Sequence, residues 1–326
     1  MNLNQAKSIL ITGGTGSFGK EFLKKILKDY PNLEKVIIFS RDEFKHFTIQ
    51  NMAEFKNDER IRYFIGDVRD LERLKMAFSN VDIVIHAAAL KQVPLCEYNP
   101  FEAVKTNIMG AQNIITAAIE NNVKKVIALS TDKACSPVNL YGATKLCSDK
   151  LFIAANAYSG DEGTRFSVVR YGNVSASRGS VIPFFMDCIK NNAEFIPITD
   201  PRMTRFWLKL DQAVEMVIEV CDIMKGEELF VKKIPSVKVT DIAKAIAPNI
   251  EQKVVGIRPG EKLHEMMISS DDARNTIDIG GYYVILPEVN AQQKSVLVNE
   301  DFIYRSDINE DWLSIEQIEK FIKSIN

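Results

Sequence analysis

A tyrosine and a lysine four positions apart, in Tyr141-Gly-Ala-Thr-Lys145, are the pair best suited to chemistry in this 326-residue chain. Four positions along a helix bring two side chains onto one face. An ammonium beside a phenol favours the phenolate, so Lys145 is expected to lower the pKa of Tyr141 and let it act as a general base near neutral pH. Thr131, ten positions before the tyrosine, offers a hydroxyl to hold the alcohol that such a base deprotonates. Asp132 and Lys133 follow it directly. A carboxyl and an amine there can move protons on and off a substrate, provided that an apolar, partly buried setting or a cationic neighbour lowers the lysine's pKa. The plainer alternatives are a chance Tyr/Lys pair on an exposed helix face and a surface salt bridge in a strand-end loop.

Hydride must leave a carbon whose hydroxyl is being deprotonated and oxidised, and the chain carries a place for an acceptor. The run Ile9-Leu-Ile-Thr-Gly13-Gly14-Thr15-Gly16-Ser17-Phe18-Gly19 ends a strand and opens a helix. Glycines there permit a tight turn and close approach of the backbone to a pyrophosphate, while the helix start supplies free N–H groups. Gly13, Thr15, Gly16, Ser17, Phe18 and Gly19 are therefore expected at a dinucleotide, although glycines also make ordinary turns. The second strand ends in Ser40-Arg41, with Lys45 a turn further on, which favours the extra phosphate of NADP. The counter-reading gives the ribose hydroxyls of NAD to Asp42 or Glu43 and leaves Arg41 as a solvated charge. Asp67 and Val68 follow the third strand and are expected near the adenine; Ala87, Ala88 and Ala89 follow the fourth and give the small side chains a dinucleotide needs.

Strands and helices must hold these groups together. Ile9–Thr12, Val36–Ser40, Arg62–Ile65, Ile83–His86, Val126–Ser130 and Ser167–Tyr171 read as strands alternating with amphipathic helices. That rhythm predicts an α/β, Rossmann-type, doubly wound parallel sheet over residues 1–173. From 174 to 326 prolines break the pattern into short elements, which predicts a smaller substrate-binding lobe. The stripe Val214, Val217, Ile218, Cys221 predicts that residues 210–232 pack back on the first domain and make the boundary interleaved.

The 41 Lys+Arg balance 43 Asp+Glu to a net charge of -2, so no basic field exists to hold nucleic acid or a membrane surface. An anionic substrate must then be caught by local basic residues. Five scattered cysteines and three histidines without ligand spacing argue against disulfides and against a metal site. No apolar stretch reaches the length of a membrane span or a signal-peptide core, so a cytoplasmic protein is expected.

Beyond these readings, the chain resembles the extended short-chain dehydrogenase/reductase family, and within it the inverting UDP-N-acetylglucosamine 4,6-dehydratases of pseudaminic acid synthesis. The resemblance rests on ILITGGTGSFGK (9–20), FIGDVRDLERL (64–74), EYNPFEAVKTNIMGAQN (97–113), ALSTDKA (128–134), LYGATKLCSDKLF (140–152), RYGNV (170–174), PITDPRMTRFW (197–207) and GIRPGEKLHE (256–265). Related dehydratases carry Asp-Glu where this chain has Asp132-Lys133, the pair of the type that also inverts carbon 5. Gln92, where histidine is usual, and Ser175-Ala176, where Val-Gly is usual, depart from the pattern.

The resemblance implies tightly bound NADP, with Lys145 also holding the nicotinamide ribose. Tyr141 and Thr131 would serve oxidation at carbon 4, Lys133 the proton at carbon 5 and Asp132 the departing carbon 6 hydroxyl. Lys91, Asn173, Arg178, Val181, Thr204, Arg205, Arg258 and Glu261 would meet the UDP-sugar, the arginines gripping its phosphates unless they form structural ion pairs. A homo-oligomer, dimer or hexamer, is also implied. A 4-epimerase, a retaining dehydratase and a non-catalytic NADP-binding regulator are the competing readings.

Overall fold

Both faces of the expected strands are covered, and that is why near-continuous apolar runs form strands here. The computed structural model describes residues 1–174 and 181–325. Its main sheet contains β1 (Ser8–Thr12), β2 (Lys35–Ser40), β3 (Ile61–Ile65), β4 (Ile83–His86), β5 (Lys125–Thr131), β6 (Arg165–Tyr171), β7 (Leu229–Lys232), β8 (Thr276–Asp278) and β9 (Tyr282–Ile285). Their order is β8-β9-β7-β6-β5-β4-β1-β2-β3. Strands β1 to β7 run parallel, whereas β9 is antiparallel to both β7 and β8.

Alternation along the strands divides the core into two layers. Leu10, Ile37, Phe39, Val84, Val126 and Ala128 face a cluster shared with α1 (Gly110–Glu120) and α2 (Leu140–Ser159). Ile9, Ile11, Val36, Ile38, Ile83, Ile85 and Ile127 face the other side. Each such Val, Leu, Ile or Phe side chain contributes about 1.5–3 kcal/mol by leaving water.

The second layer also takes in Val214, Val217 and Cys221 from α3 (Leu210–Ile223), and β7 then pairs with β6. Residues 276–285 return to the sheet as well, which the sequence pattern did not indicate. A third cluster, with Ile182, Phe185, Ile198, Trp207, Val237, Ile242 and Phe321, forms the core of the remaining C-terminal part. Among the described residues no helix is long and apolar enough to cross a membrane.

This topology sets where ligands can go. The chain leaves β1 toward β2 on one side and β4 on the other, so a crevice opens beyond their carboxyl ends. The glycine turn, the alanine run and the Thr131–Lys133 turn follow β1, β4 and β5 at that edge.

Candidate active site

Backbone contact dictates the glycine turn. Gly13 has φ +67°, and a Cβ there would stand 3.0 Å from Ala88 Cα. At Gly19 a Cβ would fall 2.3 Å from the Gly14 carbonyl oxygen. Gly16 caps the helix Ser17–Asp29 and has no side chain to occupy the free N–H groups of its first turn. Phe18 stacks on Phe22 one turn further along the same helix, with centroids 5.9 Å apart. Ala87 and Ala88 donate their N–H groups to the Thr12 carbonyl (3.3 Å) and Thr12 Oγ1 (3.2 Å), so small residues line the other wall beside Ala89. This cradle, which added Cβ atoms would fill, fits a dinucleotide pyrophosphate.

The end expected to hold the adenosine is built from side-chain pairs. Thr15 Oγ1 and Ser40 Oγ lie 2.9 Å apart, and Ser40 Oγ lies 3.0 Å from His46 Nε2. Arg41 reaches Asp67 (3.5 Å), and Lys45 reaches Asp42 (2.8 Å). Asp42 also accepts the Lys45 backbone N–H as a helix cap, and the Lys45 ammonium holds its carboxyl below the ordinary value. Val68 is buried against Gly110, and its carbonyl accepts from Asn113.

The catalytic candidates converge at the end of β5. Thr131 caps a short turn over Asp132–Ala134 and donates to Asp132 Oδ1 at 2.9 Å. Lys133 Nζ lies 3.0 Å from that same oxygen and 3.2 Å from Glu265 Oε1. Arg205 Nε stands 3.6 Å from Glu265 Oε1. Gly142 lets α2 dock here, because a Cβ at 142 would fall 2.1 Å from the Lys133 carbonyl oxygen. Tyr141 and Lys145 are consequently buried beside the turn.

Two electrostatic expectations are corrected by this arrangement. Burial pushes the Tyr141 phenol up to about 12, and the charge that pulls it back is that of Lys133, helped by a Thr131 hydrogen bond. Lys133 outweighs Lys145 at the phenol, and burial lowers the pKa of Lys145 itself, opposed by Asp149. Lys133 itself is not lowered. Burial works against its charge, but Asp132 and Glu265 together hold it above the ordinary lysine value. Asp132 is raised by burial and by the negative Glu265, whereas Glu265, despite burial, is held low by Lys133, Arg205 and Lys262.

The other expected contacts are distributed around this centre. Near Lys91, burial and the Lys133 charge both lower the ammonium's pKa. Asn173 has a buried Oδ1 with no partner among the described residues, on a short strand beside Trp207–Leu208. Val181 begins the helix Val181–Lys190 and packs on the third cluster. Thr204 points away from Arg205: its hydroxyl meets His264 Nδ1 (2.8 Å) and Ser306 Oγ (2.7 Å). Arg258 and Glu261 share a loop, where the Arg258 N–H donates to Glu261 Oε2 at 3.3 Å. Neighbouring residues dock that loop on the catalytic turn, through Asn139 to the Gly260 carbonyl (2.8 Å) and Lys262 to the Cys135 carbonyl. Arg178 lies outside the described residues.

Sequence reasoning missed a supporting layer. Asp149 accepts from Ser130 Oγ (2.7 Å) and Arg170 Nη2 (3.3 Å), and Arg170 Nη1 donates to the Met267 carbonyl (2.8 Å). Asn107 in a π-helical turn holds both backbone groups of Leu90 and donates to Thr144 Oγ1. Asp149 was findable, since 141, 145 and 149 follow one helix face. Glu265 carried no such local signal.

Residues 9–287 match the family described as "Polysaccharide biosynthesis protein". The chain is 56% identical to the inverting UDP-N-acetylglucosamine 4,6-dehydratase of Campylobacter jejuni subsp. jejuni serotype O:2, over 97% of both proteins. It is 44% identical to the UDP-glucose 4-epimerase of Rickettsia bellii, over 86% of this chain and 82% of that one. The X-ray structure of Pen from Bacillus thuringiensis shares 40% identity and a TM-score of 0.89, covering 98% of each chain. Fold and site thus define a nucleotide-binding α/β protein of the extended short-chain dehydrogenase/reductase type, and the chain belongs to the polysaccharide biosynthesis protein family.

Proposed function

We propose that the protein is an NADP-dependent UDP-N-acetylglucosamine 4,6-dehydratase that inverts carbon 5, giving UDP-2-acetamido-2,6-dideoxy-β-L-arabino-hex-4-ulose for pseudaminic acid or a related surface glycan. The observation that carries this reading is the joint placement of Tyr141 with the Asp132–Lys133 pair in one buried site. Tyr141, in the phenolate form that the Lys133 charge favours, takes the carbon 4 hydroxyl proton, steadied by Thr131. When bound, the dinucleotide supplies a hydride acceptor at carbon 4 and a hydride donor at carbon 6. The ketone acidifies carbon 5.

Lys133 begins as an ammonium, so its proton has to move before it can act as a base. Asp132 Oδ1, 3.0 Å away, is the acceptor. One N–H bond breaks and one O–H bond forms, leaving a neutral amine beside a carboxylic acid. The amine then removes the carbon 5 proton, and the Asp132 acid gives its proton to the leaving carbon 6 hydroxyl, which departs as water. Ammonium and carboxylate are restored; carbon 5 then takes a proton from water on the face away from Lys133, and Tyr141 returns the carbon 4 proton to the hydroxide so formed.

Incubation with UDP-N-acetylglucosamine in deuterated water tests the assignment. The expected product has a carbon 6 methyl group, a ketone at carbon 4, and deuterium at carbon 5 in the L-configuration by NMR. A retained carbon 6 alcohol with exchange of configuration at carbon 4 would make it an epimerase, the reading that the Rickettsia relative favours. Asp132 and Lys133 count against that reading, since epimerisation expels no hydroxyl. D-configured product would mean a retaining dehydratase, and unchanged substrate a non-catalytic regulator.

NADP is preferred over NAD because Asp42 is engaged as a helix cap, while the exposed Arg41 and Lys45 hold half-buried carboxylates that a 2′-phosphate can replace. Arg41→Ala should weaken NADP at least about tenfold more than NAD in fluorescence titrations, the size of one lost charge-assisted contact. Equal losses would remove Arg41 from cofactor selection. The purified protein should also retain NADP(H), because hydride is borrowed and returned within a turnover.

The remaining assignments belong to the same proposal. Residues 1–173 hold the dinucleotide and 174–326 cover the sugar, apart from the segments that return to the sheet. A cytoplasmic homo-oligomer fits the exposed apolar Leu95, Tyr98 and Phe101.

A further inference from the structure

Glu265 closes the GIRPGEKLHE motif, but the reaction scheme gives it no role. It is buried, and it lies 132 positions from Lys133 in sequence. Its backbone is pinned from both sides: Glu265 N–H donates to Ser306 Oγ (3.0 Å), and Ser306 N–H donates to the Glu265 carbonyl (2.8 Å). The strand that follows, Met266–Ile268, is tied through the Met267 carbonyl to Arg170, which also holds Asp149 of the helix bearing Tyr141. One carboxylate oxygen meets Lys133 Nζ (3.2 Å) and Arg205 Nε (3.6 Å), while the other is buried without a partner among the described residues.

A buried carboxylate loses its hydration, and here the Lys133 and Arg205 cations offset that cost. We infer that Glu265 is a positioning residue that aims the Lys133 side chain and keeps it paired with a negative charge after Asp132 has taken up a proton. This rests on the dehydratase reading. Once Lys133 has taken the carbon 5 proton and before the carbon 6 hydroxyl leaves, Asp132 is neutral. The Lys133 ammonium then has Glu265 as its one anionic protein partner among the described residues. The groups facing Lys133 are Asp132, Glu265, Arg205, Tyr141 and Lys91; those facing Glu265 are Lys133, Arg205, Lys262 and Asp132.

Removing the Glu265 charge therefore makes the Lys133 proton easier to lose. In the cofactor-loaded enzyme, Glu265→Gln should leave oxidation at carbon 4 and KM within about threefold of wild type, and slow elimination about 100-fold at its best pH. The alkaline limb of elimination, where the Asp132–Lys133–Glu265 group loses its one proton, should move down by about one pH unit or more. Glu265→Asp should restore the limb to its wild-type position with an intermediate plateau. Arg205→Gln should move the limb upward, since Arg205 opposes the Lys133 charge. Structural damage alone does not produce shifts of opposite sign.

NMR titration of the Lys133 amine, assigned by its loss in Lys133→Met, supplies a readout that needs no turnover: Glu265→Gln should titrate at lower pH than wild type. A Glu265→Gln limb and amine titration superimposable on wild type overturn the inference. Absence of dehydration by wild type overturns the functional reading instead, while the amine titration still decides whether Glu265 sets the Lys133 charge.

Discussion

Replacing Tyr141 by phenylalanine should give a folded, cofactor-loaded protein in which UDP-N-acetylglucosamine reduces the bound dinucleotide roughly 10³-fold more slowly, since the base that takes the carbon 4 hydroxyl proton is gone. The ring keeps its size and its place against Cys96 and Ala103, so the loss of one hydroxyl costs only about 1 kcal/mol of stability. Rapid-mixing absorbance of the reduced dinucleotide measures the step directly. In wild type that rate should rise with pH through neutrality, because burial holds the phenol at about 12 and the phenolate fraction grows as protons are withdrawn. The phenylalanine variant should lose this rise. Wild-type reduction by Tyr141→Phe would remove the phenol from the reaction altogether.

Much of the crevice was legible because its chemistry is local. A glycine turn needs neighbouring residues within one tight bend, and Tyr141 and Lys145 need one helix face, so spacing along the chain suffices. The strands β1 to β6 were legible for a related reason: burial on both faces demands unbroken apolar runs. Strands of three and four residues, such as Thr276–Asp278 and Tyr282–Ile285, carry too little pattern to be read, and they join the sheet only because β7 leaves an edge for them. Thr204 and Arg205 illustrate another limit. Adjacent residues in a strand point to opposite faces, so the motif that contains both sends one toward Glu265 and the other toward Ser306.

The protonation of Lys133 was the least legible property of all. Sequence places Asp132 beside it, but the sign of its pKa shift also depends on Glu265, brought in by a strand pairing between Met266–Ile268 and Tyr304–Arg305. A lysine in a partly buried turn looks like a lowered base when its partners are unknown. With two carboxylates within 3.2 Å it is an ammonium at rest, and its basicity has to be released by proton transfer to one of them.

Lys133→Met examines that release, and its expected effect on elimination is a loss of about 10²- to 10⁴-fold. The first hydride transfer should survive and appear as transient absorbance of the reduced dinucleotide. Its dependence on Tyr141 ionisation should move to higher pH, because Lys133 is the charge that pulls the phenol down. The variant also leaves Asp132 and Glu265 buried without their shared cation, a change of about 3–5 kcal/mol if both stay ionised. Proton uptake relieves this, so their folded-state pKa values rise above the unfolded ones. The variant's stability is then best preserved at acid pH and falls as pH rises through those raised values, which thermal melting across pH can follow. Lys133→Glu supplies a carboxylate base instead and should recover part of the dehydration, with retention at carbon 5. If Lys133→Met forms the L-configured 4-keto sugar at the wild-type rate, the base at carbon 5 lies elsewhere, and the inverting assignment loses the residue on which its chemistry depends.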